Sequence, residues 1–205
     1  MLARILPIDA VHPEPHRVHR AVAALEAGGV LAFPTDSYYG LGCDVGSKQG
    51  IERIYQLKER DRRKPLSVIC SDLAEITRYA KVSNFAFRAL KRLTPGPFTF
   101  VLEATREIPD ALATKQQTVG IRIPNAPIAL ALVEQLGRPL VSTSAATPDG
   151  EPLIDPQEIL DVFGHGLELI IDGGYTLHEP STVVSLVGDE LTILRQGKGE
   201  ITGVL

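Results

Sequence analysis

Lys58–Lys64 reads Lys-Glu-Arg-Asp-Arg-Arg-Lys, five basic residues in seven, within a 205-residue chain of formal net charge -4. The stretch carries +3 and the remainder -7. A basic cluster against an acidic background suits an anion. It equally suits a solvated helix end whose cations complement the C-terminal dipole, and charge alone leaves both readings open. Other polar groups stand at the ends of predicted strands: Thr35-Asp36-Ser37, Arg122, Ser142-Thr143-Ser144, Ser181-Thr182 and Arg195. Arginine offers a planar fork and hydroxyls add donors, the chemistry of an oxyanion or phosphate site. Taken singly, each is more simply a cap or turn residue. Taken with the basic cluster, they point to a nucleotide or phosphorylated ligand.

Other chemistries lack their residues. The chain has no Walker A sequence, no G-x-G-x-x-G opening a helix, no H-E-x-x-H and no G-x-S-x-G. Gly197-Lys198-Gly199 is too short for a phosphate loop. Cys43 and Cys70 follow or end apolar runs and read as buried structural thiols. Asp36 reads as a turn or cap residue rather than a base. His12, His16 and His19 invite a metal reading, but Pro13 and Pro15 interrupt the helix face they would need. No metal site is expected. Two cysteines outside any Cys-x-x-Cys imply a reducing compartment. There is no signal-like start and no long apolar run, so a soluble, cytoplasmic protein with no membrane partner is expected.

The elements that must position these groups follow from periodicity. Residues 1–15 read as an N-terminal extension with a short strand and a loop. A helix begins near His16, with Val18, Val22 and Leu25 on one face, and Gly28-Gly29 stops it. Val30–Phe33 is a buried strand entering the loop Pro34–Gly42. Ser47 caps a helix that runs into the basic cluster. Further strands are expected at Leu66–Cys70, Phe98–Glu103, Val119–Pro124, Pro139–Val141, Leu167–Ile171, Thr182–Leu186 and Leu191–Leu194. Helices are expected after Asp72, over Phe85–Leu93, after Asn125 as cap, and after Asp155, whose Pro156 and Glu158 complete a helix-start pattern. Thr94-Pro95-Gly96-Pro97 must turn. The order fits one α/β domain on a curved, mixed sheet, not a Rossmann unit.

Phe33-Pro34-Thr35-Asp36-Ser37-Tyr38-Tyr39-Gly40-Leu41-Gly42 resembles the P-T-[DE]-T-x-Y-G-L signature of the YrdC/YciO family. Lys58-Glu59-Arg60 with Lys64-Pro65-Leu66 resembles its K-x-R…KPL segment, and Thr94–Thr99 its T-P-G-P-x-T turn. Gly120–Pro124, Ser142–Ala145, Ser181–Val184 and Leu194–Gly197 are similar to its G-[VI]-R-x-P, S-[TA]-S-A-N, S-T-[VI] and [IL]-R-x-G segments. Seven matches fall in order over residues 16–205, which the resemblance makes one YrdC-like domain: a twisted α/β fold with a basic cavity.

The resemblance implies synthesis of threonylcarbamoyl-AMP from L-threonine, bicarbonate and ATP. The intermediate serves tRNA threonylcarbamoyladenosine modification, and Mg²⁺ is expected with the nucleotide. It implies Lys58 and Arg60 as catalytic cations. Lys58, Arg60, Lys64, Ser142, Ser144, Ser181 and Arg195 would bind nucleotide, and Thr35, Tyr39, Arg122 and Ser142 would bind threonine. The alternative is a tRNA- or double-stranded-RNA-binding protein of the YciO branch without full synthase activity; tRNA-modification proteins are further partners. Two departures from the family pattern point to that branch. Tyr38 replaces a small aliphatic residue, and Ala146 stands at the family's asparagine, a loss worth roughly 1–3 kcal/mol if that amide held nucleotide.

Overall fold

The computed structural model describes residues 2–59, 65–147, 149–176 and 179–201. The described residues form ten strands and six α-helices. The strands are β1 (Arg4–Pro7), β2 (Leu31–Phe33), β3 (Gly40–Asp44), β4 (Ser67–Ile69), β5 (Phe98–Glu103), β6 (Thr118–Arg122), β7 (Leu140–Ser144), β8 (Leu169–Asp172), β9 (Thr182–Ser185) and β10 (Thr192–Arg195). They join in one open sheet of order β1-β8-β2-β3-β7-β4-β6-β5-β9-β10. Parallel pairs (β1 with β8, β8 with β2, β4 with β6, β5 with β9) mix with antiparallel ones, as the sequence led us to expect.

The helices are α1 (Pro15–Glu26), α2 (Lys48–Leu57), α3 (Leu73–Tyr79), α4 (Asn84–Leu93), α5 (Pro127–Leu136) and α6 (Pro156–Phe163). Local chemistry fixes their starts. Ser47 Oγ accepts from Gly50 N at the head of α2, Asp72 from Glu75 N at α3, and Asp155 from Gln157 N at α6. The cap of α5 is Ala126, not Asn125, and it makes no side-chain cap bond. Instead the Asn125 main-chain N–H donates to the Asp36 carboxylate at 2.7 Å, so a long-range contact has taken the place of a local cap.

Helices cover the two sheet faces unequally. On one face, α2, α3, α4 and α6 pack on alternate strand residues such as Ala32, Val68, Phe100, Ile121, Val141 and Ile170. On the other, α1 and α5 pack on Leu31, Phe33, Ile69, Leu140, Leu169 and Ile171. Side chains alternate across a strand with period two. Continuing along this second face therefore leads from Ile69 to Ser67, from Leu140 to Ser142 and Ser144, and on to Thr118, Gly120 and Arg122. Here the apolar residues stop, and so do the covering helices.

Candidate active-site cavity

That polar half of the face is the floor of a cavity of about 450 Å³, within the range of small-molecule sites. The floor is a lateral row of small residues in register. Ser142 faces Ser67, Ser67 faces Gly120, and Gly120 faces Val101. Gly40 and Ser144 form the adjoining pair. Thr99, Ser181 and Val183 extend the wall, and Tyr38, Thr114 and Pro180 border it.

Of the residues singled out from sequence, Thr35, Tyr39, Arg122, Ser142, Ser144, Ser181 and Arg195 all line this one cavity. Ser142–Ser144 belong to β7 itself rather than to a loop after it. Ser142 is buried, while Ser144 is exposed at the strand end. Arg195 Nη2 donates to Ser181 O at 2.8 Å and to Ser181 Oγ at 3.3 Å, and Ser181 Oγ lies 3.0 Å from Thr99 Oγ1. Thr35 Oγ1 donates to Tyr38 O at 2.6 Å and accepts from Ser37 N, tightening the signature loop. Tyr39 contributes surface but not a free hydroxyl. Its OH donates to Gly174 O at 2.7 Å and accepts from Gly173 N at 3.3 Å, and burial raises its pKa.

Arg122 is the one buried cation of the group, 8% exposed. Its Nη2 donates to Asp36 Oδ1, and its Nη1 to Ser37 Oγ at 3.3 Å. Its Nε is buried with no hydrogen-bond partner among the described residues. Burial lowers its pKa from the ordinary arginine value, Asp36 opposes that shift, and the Arg195 cation adds to it. A guanidinium stays protonated through such a shift. The wall therefore carries a fixed cation with one unused donor.

Lys58 lies apart from the cavity lining. It is the C-cap of α2, which directs its ammonium to the Ala146 carbonyl and over the Phe163 ring, 5.5 Å from the centroid. Ala146 follows Ser144 by two residues, so Lys58 reaches the lip of the site. Arg60, Arg62, Arg63 and Lys64 lie outside the described residues. Sequence reasoning missed Ser67, Thr99, Thr118 and Gly120 as cavity residues. The signal was present in Thr118-x-Gly120-x-Arg122 and Phe98-Thr99-Phe100, where polar or small residues alternate with apolar ones at strand period. It also missed Asp36 as the partner of Arg122.

Among the described residues no group of three His, Cys, Asp or Glu side chains could hold a metal ion, and no helix is long and apolar enough to cross a membrane. Cys43 and Cys70 are buried and unpaired. Burial pushes the Cys43 thiol up to about 12, and Cys70 moves the same way. The thiolate is the reactive form, so neither cysteine should react with a thiol reagent in the native protein at mildly alkaline pH. Both should react after denaturation, as a colorimetric thiol titration will read.

Comparison with known proteins places this cavity. The family model for Sua5, YciO and YrdC, described as "Telomere recombination", matches residues 23–197. The chain belongs to the Sua5/YciO/YrdC family. Within it, the uncharacterised protein YciO of Escherichia coli (strain K12) is 40% identical over 202 residues, 98% of both chains. The E. coli YciO crystal structure matches with a TM-score of 0.94 at 38% identity, covering 100% of each chain. Threonylcarbamoyl-AMP synthase of Mus musculus is 38% identical over 172 residues, 82% of this chain and 61% of that one. P. abyssi Sua5, solved in complex with L-threonine, has a TM-score of 0.88 at 30% identity, covering 94% of this chain and 57% of that one. The mixed α/β sheet is thus that of the Sua5/YciO/YrdC family.

Proposed function

We propose that the cavity makes a carbamoyl adenylate: L-threonine, bicarbonate and ATP give threonylcarbamoyl-AMP and pyrophosphate, feeding tRNA threonylcarbamoyladenosine modification. The observation that carries this reading is the placing of two arginines, Arg122 and Arg195, on the wall of one cavity with a hydroxyl-rich floor. A carboxylate on Arg122 and a phosphate near Arg195 would use both cations. The relationship to Sua5, which has been solved with L-threonine, favours that amino acid.

The reaction is a phosphoryl-type displacement. The threonine amine first adds to bicarbonate, forming the N–C bond of a carbamate as water leaves; a carbamate oxygen then attacks the α-phosphorus, the O–Pα bond forms, the bond from Pα to the bridging oxygen breaks, and pyrophosphate leaves. The step gathers anions and needs cations and hydrogen-bond donors more than a general base. Arg122, Thr35 and Ser142 hold threonine, and Tyr39 provides an apolar wall. Ser142, Ser144, Ser181 and Arg195 hold the nucleotide. Lys58 joins the phosphates after leaving the Ala146 carbonyl, together with Arg60 and Lys64. Any Mg²⁺ would be held by the nucleotide phosphates rather than by side chains, and would neutralise charge there.

Incubation with ATP, Mg²⁺, bicarbonate and L-threonine should release pyrophosphate and form an adenylate that requires all three substrates. A mouse synthase control that forms product while this chain forms none at high enzyme concentration would overturn the proposal.

A further inference from the structure

Asp36 makes three separate bonds, each to a different part of the chain. Its Oδ1 accepts from Arg122 Nη2, its Oδ2 accepts from Asn125 N at 2.7 Å, and its main-chain carbonyl accepts from Lys198 Nζ at 2.8 Å. The side chains of the Arg122–Asp36 pair are only 10% and 7% exposed. Close packing alone does not explain this immobilisation. Asp36 borders a second hollow of about 260 Å³, lined also by Asn125, Ala126, Thr176 and Lys198. Arg122 borders the main cavity, and Thr35 borders both. The ion pair therefore stands between two spaces, held by the bonds just named as well as by its burial.

With both carboxylate oxygens engaged, Asp36 cannot rotate away from Arg122 without leaving the Asn125 N–H unpaired. Arg122 is consequently fixed at two of its three nitrogens, by Asp36 and Ser37, while the third, Nε, is buried without a partner among the described residues. We infer that Asp36 is a positioning residue: it holds the Arg122 guanidinium in the cavity wall, where the carboxylate of the amino-acid substrate is received, and does not itself touch the substrate. Lys198 supports the same geometry from the C-terminal segment by holding the Asp36 main chain. The inference rests on the reading that Arg122 receives an amino-acid carboxylate.

The test uses the full chain and Asp36→Asn. The amide keeps the shape but meets either Arg122 or the Asn125 N–H with a donor. In the wild type, the arginine side-chain ¹⁵N–¹H spectrum should contain a solvent-protected Nε–H signal that Arg122→Lys removes. Asp36→Asn should broaden or lose that signal. It should also weaken L-threonine binding by about ten- to a hundredfold, the range a charge-assisted hydrogen bond controls. ATP binding should stay within about twofold, because the Arg195 and Ser181 contacts are separate from this network. Lys198→Met is a milder second variant, chosen in case Asp36→Asn folds poorly. It should weaken L-threonine binding by about fivefold, the effect of one ordinary hydrogen bond, with ATP again spared. An intact Nε–H signal with unchanged L-threonine affinity in Asp36→Asn, or equal losses for L-threonine and ATP in either variant, would overturn the inference. A wild type that does not bind L-threonine would instead remove the substrate reading, and the Nε–H signal would still decide the role of Asp36.

Discussion

Arg122→Met should lower the unfolding free energy by about 3–5 kcal/mol, the cost of leaving one member of a buried ion pair without its partner. Methionine keeps much of the length and removes the charge, so the loss is electrostatic more than volumetric. What remains is the Asp36 carboxylate, its side chain 7% exposed, with the Asn125 N–H as its one remaining side-chain hydrogen bond among the described residues. Adding Asp36→Leu should recover most of the stability, since an apolar pair in place of a buried ion pair is often neutral or better. L-Threonine binding should be lost in both. Urea unfolding of the two variants decides the matter: a single variant within about 1 kcal/mol of wild type would mean that solvent reaches the pair, as at an exposed salt bridge.

Gly197→Ala should cost about 1–3 kcal/mol, the usual penalty of overpacking, and should weaken nucleotide binding as well. A Cβ at Gly197 would lie 2.3 Å from Pro180 O and 2.7 Å from the Ser181 carbonyl carbon and oxygen. These are all main-chain atoms, so no side chain can swing aside to make room. The segment is otherwise tied in place: Gly197 N donates to Thr182 Oγ1 at 3.0 Å, and Lys198 N to Pro180 O at 2.9 Å. Moving it moves Arg195, two residues earlier, off Ser181. Gly46→Ala is the matched control, because its Cβ would meet only Asp44 Oδ1 at an ordinary 3.5 Å. Urea unfolding and ATP titration of the two variants should separate clearly, with Gly46→Ala close to wild type in both. An equally mild Gly197→Ala would show that the segment is not clamped.

The helices could be read from sequence because their signals are local. Ser47, Asp72 and Asp155 each stand at the helix start they cap, and Gly137 takes the left-handed conformation that closes α5. The β3 strand was harder. Gly40-Leu41-Gly42 has the composition of a loop, yet both glycines lie in a central strand. A Cβ at Gly42 would come within 2.5 Å of Val141 O and 2.8 Å of the Phe33 ring, a close approach of the kind that brings glycine into sheets. Ser142–Ser144 misled in a similar way. They look like the end of a strand because they are polar, but they are polar because that part of the strand faces the cavity. Asp36 could not be recognised at all from its neighbours. Its cationic partner is 86 residues away, while the adjacent Thr35 and Ser37 suggest only a turn. Seven of the residues that the family motifs singled out line one cavity, whereas the Asp36 network required the fold.

The floor of the cavity belongs to the sheet, and this divides the site into parts with different freedom to diverge. A larger side chain at Ser67, Ser142 or Gly120 would disturb the strand ladder and the ligand surface together, so selection for folding and selection for chemistry act there on the same residues. The border carries no such double burden. Tyr38 stands on it, and Ala146 lies beyond the last residue of β7. Both positions depart from the family pattern. The sheet thus acts as a chassis, and substitutions along its margin alter the rim of the site without rebuilding the fold.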